Sequence, residues 1–183
     1  MSSNPFVVIS SDTHAGAQVK GYRDYLDSKH QTLFDEWRGS YKNPQRKHIG
    51  SKKHKNWDDA ERMADLEADG VVGEIVFPNT VPPFFRTSVL ICGNPRPEDY
   101  PLRLQGIRAH NRWLKDWCDE FPEQRAGIGL VYLNDLDEAI KDIEWIAKAG
   151  LRGGVLLPHV PDDCTSHIKP LYHPDYDRMW ALL

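Results

Sequence analysis

An acid and an imidazole two residues apart, Asp12 and His14 in VVISSDTHAG, open the list of residues whose types and spacing could do chemistry. On an extended segment, side chains at i and i+2 leave the same face, so both can reach one ion. A carboxylate oxygen with an imidazole nitrogen suits Zn²⁺, and equally Mn²⁺ or Fe²⁺. Two ligands fall short of the three protein donors that a catalytic zinc uses. The other reading is a polar turn, with Asp12 capping it and His14 bonded to a loop. Asn79 in FPNT and His159 in LLPH also follow apolar runs, which makes them candidate substrate contacts. His159 stays open between further ligand, substrate contact and surface histidine. His173 precedes Pro174 and reads as the start of a helix. His30, His48, His54, His110 and His167 follow no such run and receive no role. Cys92, Cys118 and Cys164 have no partner that would make a nucleophile, and no GxSxG, P-loop or GxGxxG occurs. Serine-hydrolase, NTPase and dinucleotide-binding chemistry are thereby disfavoured.

Strands must position these groups. Phe6–Ser11, Val72–Phe77, Gly127–Leu133 and Gly154–Leu157 are near-continuous apolar runs, the pattern of parallel strands covered on both faces. Between them, Asp58–Asp69 has helical spacing, with Asn56 as N-cap and Gly70 just past the end. Leu104–Phe121 carries an apolar stripe through Ile107, Asn111, Leu114 and Cys118, and Pro122 stops it. Asp135–Ala149 is the clearest helix, with Asp137/Lys141 and Glu144/Lys148 at i,i+4 and Gly150 closing it. Pro174–Leu183 reads as the opening turns of another, and its apolar end lacks a cap, as in a chain that stops partway through a fold.

Strands and helices in alternation imply right-handed crossovers and a parallel α/β sheet. Ligands bind such sheets at the carboxyl ends of the strands, where Asp12, His14, Asn79 and His159 all fall. Residues 15–57 and 78–102 read as long loops. The first holds the basic cluster Lys42–Lys55, KNPQRKHIGSKKHK, either a solvated loop or a lid for an anionic substrate.

The 183 residues suit one α/β domain, 1–183. A formal net charge of −4 argues against a nucleic-acid binder. No apolar run approaches the roughly 20 residues of a membrane span, and MSSNPF does not open a signal peptide. With three unpatterned cysteines, a cytoplasmic protein is expected.

The segments VVISSDTHAG, RMADLEADGVVGEIVFPN, HNRWLKDWCDEFPEQRAGIGLVYLNDLDEAIKDIEWIAKAGLRGGVLLP and LYHPDYDRMWALL, in that order, resemble the N-terminal half of the amidohydrolase-related family. This is the group of metal-dependent enzymes that includes aminocarboxymuconate-semialdehyde decarboxylase. The resemblance implies a (β/α)₈ TIM-barrel fold, with this chain supplying about the first four β/α units. It implies a metal-dependent hydrolase or non-oxidative decarboxylase acting on a small carboxylated or aromatic substrate. In that family an HxH, or an acid-x-His variant, ends the first strand and binds the metal, which carries over to Asp12 and His14. Zinc is the expected ion; Asp in place of the first His hardens the site and brings in manganese or iron. The family's further ligands come from later strands, so the general base is expected outside this chain. The expected partner is an oligomer mate or a complementary barrel half. Two other readings stand beside this one: a catalytically incomplete half-barrel serving as a subunit, and a small flavodoxin-like binding domain.

Overall fold

The apolar runs become parallel strands in a computed structural model that describes residues 6–44 and 55–183. They are β1 (Val8–Ala15), β2 (Val71–Pro78), β3 (Arg125–Gly127), β4 (Gly129–Leu130) and β5 (Val155–Leu156). β1 pairs with β2 and β2 with β3; β4 pairs with β5, and every pairing is parallel. β3 and β4 are one apolar run interrupted at Ile128, so strands stand side by side in chain order. The interruption has a local cause. Ile128 N–H still reaches the Val76 carbonyl at 3.1 Å, but Pro78 has no N–H to carry the ladder on. Asn111 takes over as a surrogate strand: its Oδ1 accepts from Leu130 N–H and its Nδ2 donates to the Leu130 carbonyl, both at 2.9 Å.

Five α-helices connect the described strands, α1 (Ser28–Ser40), α2 (Asp59–Ala68), α3 (Val89–Cys92), α4 (Tyr100–Asp119) and α5 (Leu136–Ala149), and α6 (Asp177–Trp180) follows β5. The apolar stripe of α4 buries Leu104, Ile107, Leu114 and Cys118, and α5 buries Ala139, Ile143 and Ile146. Leu114, Cys118 and the α5 side chains form the main core with Val76, while Leu104 and Ile107 join a second cluster with Phe85 and Tyr132. Asp135 caps α5 by accepting from the N–H groups of Asp137 and Glu138, and Gly150 leaves it in the left-handed region at φ 79°.

Four expectations change. Residues 15–57 are not one loop: they hold a 3-10 helix at Val19–Tyr25 and then α1. The α1 sequence is polar except for a narrow aromatic edge, and its stability comes from contacts distant in sequence. Phe34 and Trp37 pack on Phe84 at 6.3 and 5.8 Å between ring centroids. That packing holds Phe84 at φ 68°, a conformation bulky residues rarely adopt, and so fixes the 78–102 connection, which also contains α3. Ten residues of the basic cluster, 45–54, lie outside the described residues. The cap of α2 is Asp58, not Asn56, because Asn56 bonds Asn79. Asp137 pairs with Arg178, and Lys141 with Glu138.

The fourth concerns cover. Glu74, Val76 and Pro78 alternate onto the face beneath the helices and are buried, while Gly73, Ile75 and Phe77 on the other face are only half-buried. Ile9 on β1 is 60% exposed. The described residues therefore cover one face of the sheet, not both as the apolar runs suggested.

Candidate metal centre

β1 runs through the Asp-x-His pair instead of ending before it, and an irregularity decides where the pair points. Ser10 stands opposite Glu74 and Thr13 opposite Val76, so three steps along β1 match two along β2. This extra residue is a β-bulge, which re-aims the side chains that follow. Without it, Asp12 and His14 would share the face of Ser10, under the helices. With it, His14 stands opposite Phe77 on the open face, ring centroids 6.0 Å apart. Thr13 Oγ1 donates to the Ile75 carbonyl at 2.8 Å and ties the strand down after the bulge.

On that face Asp12 Oδ1 and His14 Nε2 are 4.0 Å apart. Two donors at this separation can approach one ion from two sides, and a hard oxygen beside a borderline nitrogen suits Mn²⁺, Fe²⁺ or Zn²⁺. Both are accessible, the Asp12 side chain at 82% and that of His14 at 38%. The residues present fit half of a metal site. No group of three or more His, Cys, Asp or Glu is arranged to hold a metal among the described residues.

Asn79 comes close to the pair through the backbone: its N–H donates to the Ala15 carbonyl at 2.9 Å. Its side-chain amide donates to Asn56 Oδ1 at 2.7 Å, so this amide holds the start of the α2 segment. His159 follows β5, which the sheet order separates from β1 by β2 and β3/β4. Its imidazole lies so close to Gly93 that a Cβ there would come within 2.7 Å of Cε1. The structure thus brings Asp12 and His14 together, ties the Asn79 backbone to the residue after His14, and places His159 at another part of the sheet end. His173 heads a short helix as expected, its Nδ1 accepting from Asp175 N–H at 3.2 Å.

Several residues that carry this end of the sheet had no role in the sequence reading. Asn94, buried, donates through Nδ2 to the Pro158 carbonyl at 2.6 Å and accepts from Leu133 N–H at 3.2 Å, clamping the ends of the last two strands. Tyr22 Oη accepts from Ala17 N–H at 3.2 Å and lies 2.8 Å from Thr80 Oγ1 and 2.9 Å from His110 Nδ1. It joins the segments after β1 and β2 to α4. Burial raises the Tyr22 phenol above its ordinary pKa and lowers His110 to about 4, so both are neutral. The sequence held one usable signal: Glu74, a lone acid inside VGEIVF, demands a buried cation. Arg62 supplies it, donating from Nε to both Glu74 oxygens at 2.9 and 3.1 Å.

The cysteines are all free, and burial pushes the Cys118 thiol up to about 11, which leaves it without nucleophilic character. Two surface cavities are lined by other residues. One of about 210 Å³ lies between Leu33, Trp37, Phe84, Leu102 and Arg103, and the other borders Tyr25, Arg112 and Trp145. No described helix is long and apolar enough to cross a membrane.

No family profile matches the chain, and no curated protein matches its sequence. Solved structures do match its fold. A 5-carboxyvanillate decarboxylase from Novosphingobium aromaticivorans, with bound manganese and 3-methoxy-4-hydroxy-5-nitrobenzoic acid, superposes at TM-score 0.59 and 18% identity. The match covers 99% of this chain and 49% of that one. A dihydroxybenzoic acid decarboxylase from Polaromonas, with bound manganese and 2-nitroresorcinol, gives 0.61 at 13% identity over 97% of this chain and 46% of that one. An amidohydrolase from Mycobacterium avium subsp. paratuberculosis gives 0.57 at 14% identity over 98% and 56%. The chain spans about half the length of these structures. At such identities the likeness establishes a shared fold, and the resemblance read from the sequence is met at that level.

Proposed function

We propose that this chain supplies the first four β/α units of a (β/α)₈ barrel, and that Asp12 and His14 are the first-strand ligands of its divalent metal. The activity proposed is metal-dependent, non-oxidative decarboxylation of a small aromatic carboxylate, with hydrolysis as the alternative reaction on the same scaffold. One observation carries this reading: a bulge in β1 turns Asp12 and His14 together onto the open face, with donor atoms 4.0 Å apart. Manganese is favoured over zinc, because a carboxylate replaces one imidazole in the donor pair and two of the fold neighbours hold manganese. When bound, the ion supplies Lewis acidity towards a substrate oxygen. Asp12 and His14 hold it, and the remaining ligands and the general base come from barrel units outside this chain. His159 and Asn79 line the same end of the sheet, where substrate contact is proposed for them.

A second reading is favoured by the open face itself. With no group of three or more metal donors gathered among the described residues and Ile9 60% exposed, the chain would serve as a catalytically incomplete half-barrel whose partner is a complementary half or a second copy. Metal titration separates the two. Calorimetry with Mn²⁺ and Zn²⁺ is expected to show one site in the wild type, lost in the double variant Asp12→Ala/His14→Ala. A folded wild type that takes up neither ion sinks the metal reading and leaves the half-barrel one. Where metal binds, release of CO₂ from hydroxybenzoates by the barrel completed with its second half distinguishes decarboxylation from hydrolysis.

A further inference from the structure

We propose that Arg62, locked by Glu74, is a positioning residue that sets the backbone at His14 and so aims the metal-binding pair; this rests on the metal-site reading above. The bulge leaves β1 with a broken ladder between Ser10 and Thr13, on a strand paired only with β2 among the described residues. Something else must fix the peptide planes there. Arg62 reaches across from α2: its Nη1 donates to the His14 carbonyl at 2.9 Å and to the Lys55 carbonyl at 3.3 Å. Its Nε and Nη2 hold the Glu74 carboxylate. Glu74 is opposite Ser10, the last residue paired before the bulge, and His14 is the second residue paired after it. One rigid guanidinium therefore spans the bulge and fixes the offset between its two sides.

The carboxylate is itself held. Its side chain is fully buried, and Arg125 Nε on β3 lies 3.7 Å from Oε1. Arg125 is in turn anchored by an ion pair to Asp59 and by donation from Nη1 to the Trp117 carbonyl at 2.7 Å. The Trp117 ring lies under both guanidinium groups, 3.5 Å from that of Arg125 and 5.2 Å from that of Arg62. A lysine at position 62 would offer a single point donor and could not bind Glu74 and the His14 carbonyl in one fixed plane.

A merely structural ion pair would change stability and nothing else. The full chain is therefore compared, with Mn²⁺ as probe, as wild type, Arg62→Lys, the double variant Arg62→Met/Glu74→Met and, as a destabilised control on α5, Ile143→Val. The double change leaves no unpaired charge between the two positions. Two readouts are taken by NMR: the χ1 couplings of His14, and paramagnetic broadening of its ring protons during Mn²⁺ titration. The wild type is expected to hold one χ1 rotamer. The double variant is expected to average it and to bind Mn²⁺ about 10- to 100-fold more weakly, with Arg62→Lys between them and Ile143→Val like the wild type. A folded double variant with wild-type rotamer and affinity overturns the proposal, as does a wild type whose His14 is already averaged. If the double variant does not fold, Arg62→Lys is judged by the same readouts, and an unchanged result is equally fatal. If the wild type binds no Mn²⁺, the metal reading fails while the rotamer comparison still decides the role of Arg62.

Discussion

Acid sensitivity should reside to a large degree in one buried histidine. His110 on α4 is 1% exposed, lies 2.9 Å by Nδ1 from Tyr22 Oη, and has no hydrogen-bond partner for Nε2. Its ring is flanked by those of Tyr22 and Trp113, each 5.9 Å away between centroids. Burial in these surroundings lowers its pKa from 6.5 to about 4. In the unfolded chain the same imidazole takes its proton near pH 6.5, whereas the native state refuses it until about pH 4. Between those values the unfolded state binds more protons, so stability is complete above pH 6.5 and declines as pH falls towards 4. Each pH unit in the window withdraws up to about 1.4 kcal/mol, or about 3 kcal/mol across it. That is a large part of the roughly 5–15 kcal/mol by which domains are stable. Buried Asp142 works in the opposite sense, because burial raises its carboxyl pKa and the native state then holds a proton more firmly. A difference between two proteins removes such shared contributions. Urea unfolding followed by tryptophan fluorescence at pH 7, 5.5 and 4.5, on wild type and His110→Asn, isolates the histidine. The wild type should lose stability relative to the variant by about 2 kcal/mol between pH 7 and 4.5. Parallel pH profiles would refute the assignment.

Two further substitutions probe the polar clamps that hold the end of the sheet. Tyr22→Phe strips a partner from Ala17 N–H, Thr80 Oγ1 and His110 Nδ1 at once. A loss of about 2–4 kcal/mol at pH 7 is expected in urea unfolding, since buried polar groups left unpaired cost about 1–3 kcal/mol each. Asn111→Leu keeps the branched shape of the side chain but orphans both backbone groups of Leu130. The same assay should show a loss of about 3 kcal/mol, and hydrogen exchange should report faster opening of the Leu130 amide; an unchanged exchange rate would remove Asn111 from its role as surrogate strand.

Much of the architecture was legible because it follows from local rules. The apolar runs ending near Ser11, Phe77, Leu133 and Leu157 became parallel strands in chain order. The spacing of Leu136, Ile140 and Ile143 laid α5 against the core, with Ile143 buried and the other two half-buried, while Ala147 at the end of that stripe is exposed. Asp135 and Gly150 stop that helix where their side-chain chemistry and backbone freedom dictate. Helix α1 stayed hidden because its stabilising contacts, from Phe34 and Trp37 to Phe84, join segments far apart in sequence. The same reason hid Asn94, Tyr22 and Arg62, which reach Pro158, His110 and His14 across tens of residues.

For the proposed metal pair, the sequence determined the donor types: an acid and an imidazole at i and i+2 on an apolar strand. Their spacing alone left the face undecided, because alternation would have sent both under the helices with Ser10. The tertiary structure decided it through a single extra residue between Ser10 and Thr13, fixed by pairing with β2. A bulge depends on the register of a neighbouring strand and on what holds the chain either side of it. Here those are Glu74 on β2 and Arg62 on α2, and neither is a neighbour of His14 in the sequence.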